Sequence, residues 1–271
     1  MTTGTSIDEL AERWREDLAS WALPADILEQ AETPPWTHPV SMFLVTDAIT
    51  DSPSHRIARA AVPVGGSVLD VGCGGGRAAM ALIPPAGTVV GVDHQQAMLD
   101  AFADAATRRG AVHHQVLGDW PDVADLVPAC DVAVCHHVAF NVPDIVPFIE
   151  ALDAHARLRV VLEIPLRHPL SMLNDLWLRF WGLQRPVRPS ADDLLAIVRA
   201  LGHDARMERW SDPEFGSRSP MSEADRLQFT RIRLCLPPER EAELAEALRA
   251  APPEQGRELA TIWWDATEVC R

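Results

Sequence analysis

The spacing of apolar positions along this 271-residue chain changes near residue 67. Before that point apolar residues recur at helical spacing, as in the segment LAERWREDLASW, where Ser6 and Glu9 form a possible capping box. Beyond it, short apolar and β-branched runs alternate with helical segments, which is typical of a parallel sheet with helices on both faces. The runs that predict strands cover 67–71, 88–93, 112–117, 130–135 and 159–164, and the helical segments cover 76–83, 95–109, 143–156 and 190–201.

The N-terminal part is predicted to form a helical cap over residues 1–52, followed by one domain over residues 53–271. A second helical stretch covers about 40–50, and a third begins after Asp51-Ser52-Pro53, since Ser52 suits the N-cap and Pro53 the first helical position. No linker, internal repeat or low-complexity tract divides the chain further.

The C-terminal part departs from the alternating rhythm. Two strand-like runs, DARMERW (204–210) and FTRIRLCL (229–236), predict a hairpin that pairs antiparallel at one edge of the sheet. Helices are predicted over 238–250 and 256–267, and the Trp-Trp pair in the second is a candidate for core packing or for a homodimer contact. With the five earlier strands, this predicts a doubly wound, seven-stranded, mostly parallel α/β sheet with an antiparallel last strand.

The net charge of the chain makes some classes of binding partner unfavourable. Acidic residues outnumber basic ones 39 to 24, and the net charge is −15. Such a body repels phosphate backbones and anionic lipid, which argues against nucleic acid and membrane surfaces as partners. All the basic residues are arginines, and the chain has no tyrosine. That excludes a Schiff-base lysine, a P-loop lysine and a Tyr-Lys dehydrogenase pair.

The five cysteines are scattered and form no C-x-x-C pair. This argues against a disulfide framework and a zinc site, and no metal site is predicted. The N-terminus lacks the basic start and apolar stretch of a signal peptide, and no apolar run reaches the roughly 18 residues of a membrane span. We therefore expect a cytoplasmic protein.

The predicted first strand runs into the sequence LDVGCGGG, at the sheet edge where doubly wound folds bind their ligands. Gly72, Gly74 and Gly76 permit a tight turn and a close backbone approach before a helix N-terminus. Asp70, two residues before the first glycine, would repel a pyrophosphate and attract an ammonium group. S-Adenosylmethionine carries an ammonium and a sulfonium group and no phosphate, so Asp70 favours it over a dinucleotide.

The next two strand ends carry carboxylates. Asp93 can accept hydrogen bonds from both hydroxyls of a ribose, or it can cap the helix that begins at His94. Asp119 can accept from an adenine amino group, or act as an N-cap before Pro121. Trp120 can cover the adenine ring, or it can be an ordinary core residue.

The runs LDVGCGGG, GVD, GD and CDVAVC, in this order at successive strand ends, resemble the class I S-adenosylmethionine-dependent methyltransferase family over roughly residues 53–236. The resemblance implies a Rossmann-like methyltransferase fold and S-adenosyl-L-methionine as the cofactor. It places the methionine arm at Asp70, the glycines and the end of the fourth strand with Cys135, the ribose at Asp93 and His94, and the adenine at Asp119 and Trp120. The alternatives are an NAD-dependent oxidoreductase and a protein that binds the cofactor without transferring a methyl group.

Methyl transfer to a hydroxyl generally needs a base, and three side chains are candidates. His136 and His137 follow the fourth strand directly, with one expected to point toward the cofactor and the other into the interior. Glu163 lies near the end of the fifth strand, and its alternative role is an ion pair with an arginine. His38, in a Pro-rich stretch, is a candidate for a lid or for the surface.

The segment 168–189 carries Trp177, Phe180 and Trp181 at helical spacing between the fifth strand and the next helix. These residues either wall an acceptor pocket or pack as an aromatic stripe on the sheet. As a wall they predict a small acceptor of apolar or aromatic character.

Overall fold

The computed structural model describes residues 5–35, 51–213, 222–250 and 256–266. Its strands are β1 (Ser67–Val71), β2 (Thr88–Asp93), β3 (Val112–Leu117), β4 (Cys130–His136), β5 (Ala156–Pro165), β6 (Arg206–Asp212) and β7 (Arg257–Asp265). The α-helices in these residues are α1 (Ile7–Ala19), α2 (Ala25–Leu28), α3 (Pro53–Arg59), α4 (Arg77–Met80), α5 (Gln96–Arg108), α6 (Ile145–Ala154), α7 (Asn174–Trp181), α8 (Ala191–Ala200), α9 (Glu223–Arg233) and α10 (Glu241–Ala250).

The strands form one seven-stranded sheet in the order β3-β2-β1-β4-β5-β7-β6. Strands β1 to β5 pair in parallel, while β7 pairs antiparallel with both β5 and β6. This confirms the predicted doubly wound, mostly parallel sheet with an antiparallel last strand. The strand order reverses between β1 and β4, so their carboxyl ends flank the crevice where such sheets bind ligands.

Both faces of the sheet are covered by helices, which explains why the central strands read as continuous apolar runs. On one face α6 and α8 pack over Leu69 and Val71 of β1. On the other face α4 and α5 pack over Val68. Each central strand therefore fills two cores at once, and its carboxyl end is held rigidly at the edge that bears the predicted site residues.

Helix α1 packs on the same core as the sheet. The predicted capping box of Ser6 and Glu9 is present at its start. Trp14 is buried, stacks on Phe140 at 5.8 Å between ring centroids, and donates its indole N–H to the Val142 carbonyl at 2.8 Å. The predicted helix over about 40–50, and His38, lie outside the described residues.

The C-terminal prediction was wrong in two elements. Residues 229–236 were expected to be a strand, but most of them belong to α9, which a capping box of Ser222 and Asp225 starts. The expected helix over 256–267 is the strand β7. Since β7 lies between two strands and is covered on both faces, its apolar residues are continuous, and periodicity alone does not distinguish such a strand from a buried helix.

The aromatic residues of the segment 168–189 pack elsewhere than either prediction placed them. Trp177 and Phe180 of α7 are buried in a separate apolar cluster with Leu234 and Leu244. That cluster joins α7 to α9 and α10, so these two rings neither pack on the sheet nor wall an open pocket. None of the helices in the described part of the chain combines the length and the apolar character that crossing a membrane requires.

Candidate active site

The glycine turn joins β1 to α4. Gly72, Gly74 and Gly76 have φ angles of +67°, +49° and +91°, in the left-handed region that glycine adopts without a side-chain penalty. A Cβ on Gly72 would lie 2.4 Å from Cγ2 of Val138. The turn therefore approaches the loop after β4 too closely for any other residue at position 72.

Asp93 joins the glycine turn to the end of β2. One carboxylate oxygen accepts from the Gly74 N–H at 2.9 Å, and the other accepts from the Gln95 N–H at 2.9 Å. The second bond lies just before α5, whose N-cap is Gln95 and which has no side-chain cap, so Asp93 does not cap that helix as the alternative from sequence had it. The same carboxylate thus links the glycine turn to the segment that leads into α5, on either side of the expected ribose position.

The side chains of His94 and Asp119 lie beside Asp93, and these three residues are called the polar corner below. The His94 Nδ1 lies 4.0 Å from Asp93 Oδ1 and 3.9 Å from Asp119 Oδ1. The Asp119 side chain is 79% exposed. The structure therefore brings together the three polar residues predicted for the ribose and the adenine. Their oxygens suit the hydroxyl and amino donors of a nucleoside better than they suit a phosphate.

The environment of Asp70 differs from the one expected. Its side chain is only 1% exposed, and a carboxylate oxygen accepts from the Ala79 N–H of α4 at 3.1 Å. Burial raises the pKa of this carboxyl group to about 8, and the charge of Asp93 acts in the same direction. Asp70 therefore holds α4 against β1 from the interior and, contrary to the prediction from sequence, does not stand open to an ammonium group.

Two further residues predicted to bind the cofactor are core residues. Trp120 is buried and donates its indole N–H to the Phe148 carbonyl at 3.3 Å, which is the ordinary-core alternative. Cys135 is buried in β4, and burial raises the pKa of its thiol well above the usual range. Neither side chain faces the polar corner, which corrects their assignment as side-chain ligands.

The three candidate bases lie together at the ends of β4 and β5. His137 Nε2 lies 3.0 Å from Glu163 Oε1, and His136 Nδ1 lies 3.9 Å from the same oxygen. His137 has a φ of +63°, which is rare for a residue with a side chain, and its side chain is 39% exposed. The His136 side chain is only 11% exposed and stacks on His55 at 5.5 Å. One histidine is therefore exposed and the other lies against the interior, while the direction of His137 toward the cofactor stays a prediction.

The charges in this cluster follow from burial and contact. Burial lowers the pKa of His136 to about 3, and this imidazole is therefore neutral. Burial alone would raise the pKa of Glu163, but the His136 and His137 imidazoles and the Ser54 hydroxyl hold it below its usual range. Glu163 is thus an ionised carboxylate behind His137. Among the described residues its ion-pair partners are these two histidines and no arginine.

Sequence reasoning missed Ser52 and His55 as members of this cluster. Ser52 was seen only as an N-cap, yet its hydroxyl donates to Glu163 Oε2 at 3.1 Å, from a position 111 residues away in the chain. No local pattern reports a contact at that separation. In the described residues no group of three or more side chains is arranged to hold a metal ion.

A cleft of about 280 Å³ opens between α1 and the loop after β4. It is lined by Arg15, Leu18, Ala19, Phe140, Asn141, Pro143 and His168. His168 stacks on Trp21 at 4.0 Å, and burial together with the charge of Arg185 lowers its pKa to about 4. The cleft therefore presents an aromatic ring, a neutral imidazole, an amide and one guanidinium.

Comparison with known proteins agrees with this fold. Residues 68–158 match a family model described as a methyltransferase domain. An uncharacterized protein of Haemophilus influenzae is 36% identical over 108 residues, which are 39% of this chain and 40% of that protein. The match therefore spans less than half the length of this curated relative.

Solved structures share the whole architecture at low identity. The YcgJ protein from Bacillus subtilis has a TM-score of 0.53 and 17% identity, with 79% of this chain and 98% of that chain covered. A coclaurine N-methyltransferase bound to N-methylheliamine and SAH has a TM-score of 0.50 and 15% identity, with 96% of this chain and 86% of that chain covered.

The strand order and the glycine turn are those expected for the class I S-adenosylmethionine-dependent methyltransferase fold, and residues 68–158 are similar to the methyltransferase domain described by that family model. None of these comparisons supports the oxidoreductase alternative.

Proposed function

We propose that this chain transfers the methyl group of S-adenosylmethionine to a small-molecule acceptor by in-line displacement, with His137 as the general base. The observation that carries this proposal is the pairing of a half-exposed His137 with a buried Glu163, 3.0 Å apart, at the end of β4. Val138, the next residue, packs against the glycine turn. The base is therefore adjacent to the turn that serves the methionine arm.

The residues that would hold the cofactor divide by chemistry. Asp93, His94 and Asp119 would offer oxygen and nitrogen acceptors to the nucleoside, and the glycine turn would give the methionine arm a close approach to the backbone. The cofactor supplies a methyl group that the sulfonium already activates. The protein has to align the acceptor and exclude water, and alignment is the larger part of that task.

The contact between His137 and Glu163 supports one placement of the protons. His137 Nε2 lies 3.0 Å from Glu163 Oε1, and a hydrogen on Nε2 would leave on Nδ1 the lone pair that takes the acceptor's proton. His137 Nδ1 would take the proton of the acceptor's oxygen or nitrogen as the methyl–sulfur bond breaks and the methyl–acceptor bond forms, with S-adenosylhomocysteine as the leaving group. The Glu163 carboxylate would stabilise the resulting imidazolium. Such a base contributes about 10²–10⁴-fold to the rate when the acceptor is a hydroxyl.

The cleft and the overall charge support a small-molecule acceptor. The cleft at Phe140 and His168 is small and largely apolar, which favours a compact aromatic or apolar molecule over a polymer. The net charge of −15 disfavours nucleic acid. The coclaurine N-methyltransferase, which shares the fold, is bound to the small molecule N-methylheliamine.

The test uses methyl-labelled S-adenosylmethionine with a fractionated extract of small molecules, proteins and nucleic acids. We expect label in one small-molecule fraction, and a loss of about 10²–10⁴-fold in His137→Asn for a hydroxyl acceptor. Asn suits the left-handed backbone at position 137, so this variant keeps the fold. Calorimetry with S-adenosylhomocysteine should give the same affinity for both proteins.

Two results would contradict the proposal. Binding of S-adenosylhomocysteine without label transfer to any fraction would indicate a protein that holds the cofactor without catalysis. Label confined to protein or nucleic acid would overturn the acceptor class.

A further inference from the structure

We infer that Ser52, the N-cap of α3, is a positioning residue that orients Glu163 and, through it, His137. This inference rests on the proposed function only for its kinetic part. The contacts themselves join three elements that are far apart in the sequence: the start of α3, the end of β4 and the end of β5.

The direction of each hydrogen bond at Ser52 is fixed by counting donors. Ser52 Oγ accepts from the His55 N–H of the first turn at 3.2 Å. A serine hydroxyl has one hydrogen, and here it points at Glu163 Oε2, 3.1 Å away. With Oε2 held by Ser52, Oε1 is the oxygen that meets His137 Nε2. The hydroxyl therefore sets the rotation of the carboxylate.

Comparison with two other capped helices of the chain shows why the Ser52 hydroxyl can donate to Glu163 instead of to its own helix. In α8 and α9 the N3 residue is an aspartate, and the N-cap hydroxyls of Ser190 and Ser222 donate to it at 2.7 Å. In α3 the N3 residue is His55, whose Nδ1 takes the Ser52 backbone N–H at 3.3 Å and leaves the hydroxyl hydrogen unused. A histidine at N3 thus releases the donor that Glu163 receives.

His136 does not compete for the same carboxylate. Its Nδ1 lies 3.9 Å from Oε1, beyond hydrogen-bond length, and its ring packs against His55. Because burial lowers the pKa of His136 to about 3, this ring brings no charge to Glu163 at neutral pH. The described side chains that stabilise the Glu163 carboxylate by hydrogen bonding are those of Ser52, Ser54 and His137.

The experiment compares Ser52→Ala, Ser52→Thr and Ser190→Ala with the parent chain. Ser190→Ala is the matched control, because it removes an N-cap hydroxyl whose partner is in its own helix. The first readout is a carbon-13 NMR titration of the Glu163 carboxyl, assigned with Glu163→Gln. We expect Ser52→Ala to raise the pKa of Glu163, and Ser52→Thr and Ser190→Ala to leave it unchanged.

The second readout is methyl transfer. We expect Ser52→Ala to lower kcat by roughly ten- to a hundredfold, because the base loses its alignment, with the KM for S-adenosylmethionine unchanged. Ser52→Thr should restore kcat, since it keeps the hydroxyl. If Ser52→Ala folds poorly, Ser52→Gly serves instead, because glycine is a tolerable N-cap without a hydroxyl.

The outcomes separate this inference from the proposed function. An unchanged Glu163 titration in Ser52→Ala, or equal kinetic losses in Ser52→Ala and Ser190→Ala, would show that Ser52 only caps its helix. If the parent chain transfers no methyl group, the proposed function fails, and the titration alone decides whether Ser52 orients Glu163.

Discussion

The carboxyl group of Asp70 lies in the interior at the end of β1, with a backbone N–H of α4 as its partner. Its pKa of about 8, against a usual value of 3.8, means that the folded chain keeps a proton there that the unfolded chain releases. Over that range of pH the folded state binds more protons than the unfolded state, so stability falls as the pH rises.

Asp70→Asn should remove this dependence, because the amide is neutral at every pH and keeps an oxygen for the Ala79 N–H. We expect the Tm of the variant to exceed that of the parent by an amount that grows from pH 5 to about pH 8 and then levels off. Scanning fluorimetry across pH measures this difference. The exposed Asp204→Asn is the control, and a constant difference at every pH would contradict the account.

Single residues of the site were predictable when the strand end itself carried the signal. Asp93, His94 and Asp119 lie where the sequence placed them, since a carboxylate after an apolar run is a local pattern. The partners of Asp70 and Glu163 were not predictable. Ala79 offers only a backbone N–H, and Ser52 reaches Glu163 from a distant segment.

At the scale of elements, the five parallel strands were predictable because each is a short apolar run bounded by turn residues. The wrong predictions at α9 and β7 have a physical cause. The alternation of apolar and polar residues in FTRIRLCL suggests a strand. A capped first turn and the packing of residues 234–236 against α10 instead stabilise a helix there. Because β7 pairs Thr261 with Glu163, this error also hid a neighbour of the candidate base.

The strand assignment of β7 makes a prediction for its two tryptophans. Trp264 is buried on the α6 side, where its indole N–H donates to Asp153 at 2.7 Å, whereas Trp263 is partly exposed on the opposite face. We expect Trp264→Ala to lower the free energy of unfolding by about 3–5 kcal/mol. Trp263→Ala should cost clearly less, and equal costs in chemical denaturation would contradict the assignment.

At the scale of the whole molecule, α1 connects the N-terminal cap to the loop that follows the candidate base. Trp14 bonds to Val142 and stacks on Phe140, and Arg15 pairs with Asp144 at 2.7 Å. These contacts bring α1 to one side of the apolar cleft. The cap predicted from sequence as a separate region is thus packed into the main core through one tryptophan.

Trp14→Ala should release α1 from that core. We expect the first trypsin cuts after Arg13 and Arg15 to become faster by more than about tenfold, because proteolysis follows the population of the opened state. Mass spectrometry of early fragments measures this rate. Leu126→Ala, at a well exposed position, is the control, and unchanged early fragments in Trp14→Ala would contradict the expectation.

Asp93 has a consequence for the order of events. Both of its oxygens accept hydrogen bonds from backbone N–H groups of this chain. The polar corner is therefore formed on folding and does not depend on the acceptor. Binding of the methyl donor at this corner therefore requires little further ordering of the protein. We therefore expect S-adenosylmethionine to bind before the acceptor and S-adenosylhomocysteine to leave after the methylated product. Turnover would then depend on the concentration ratio of these two compounds.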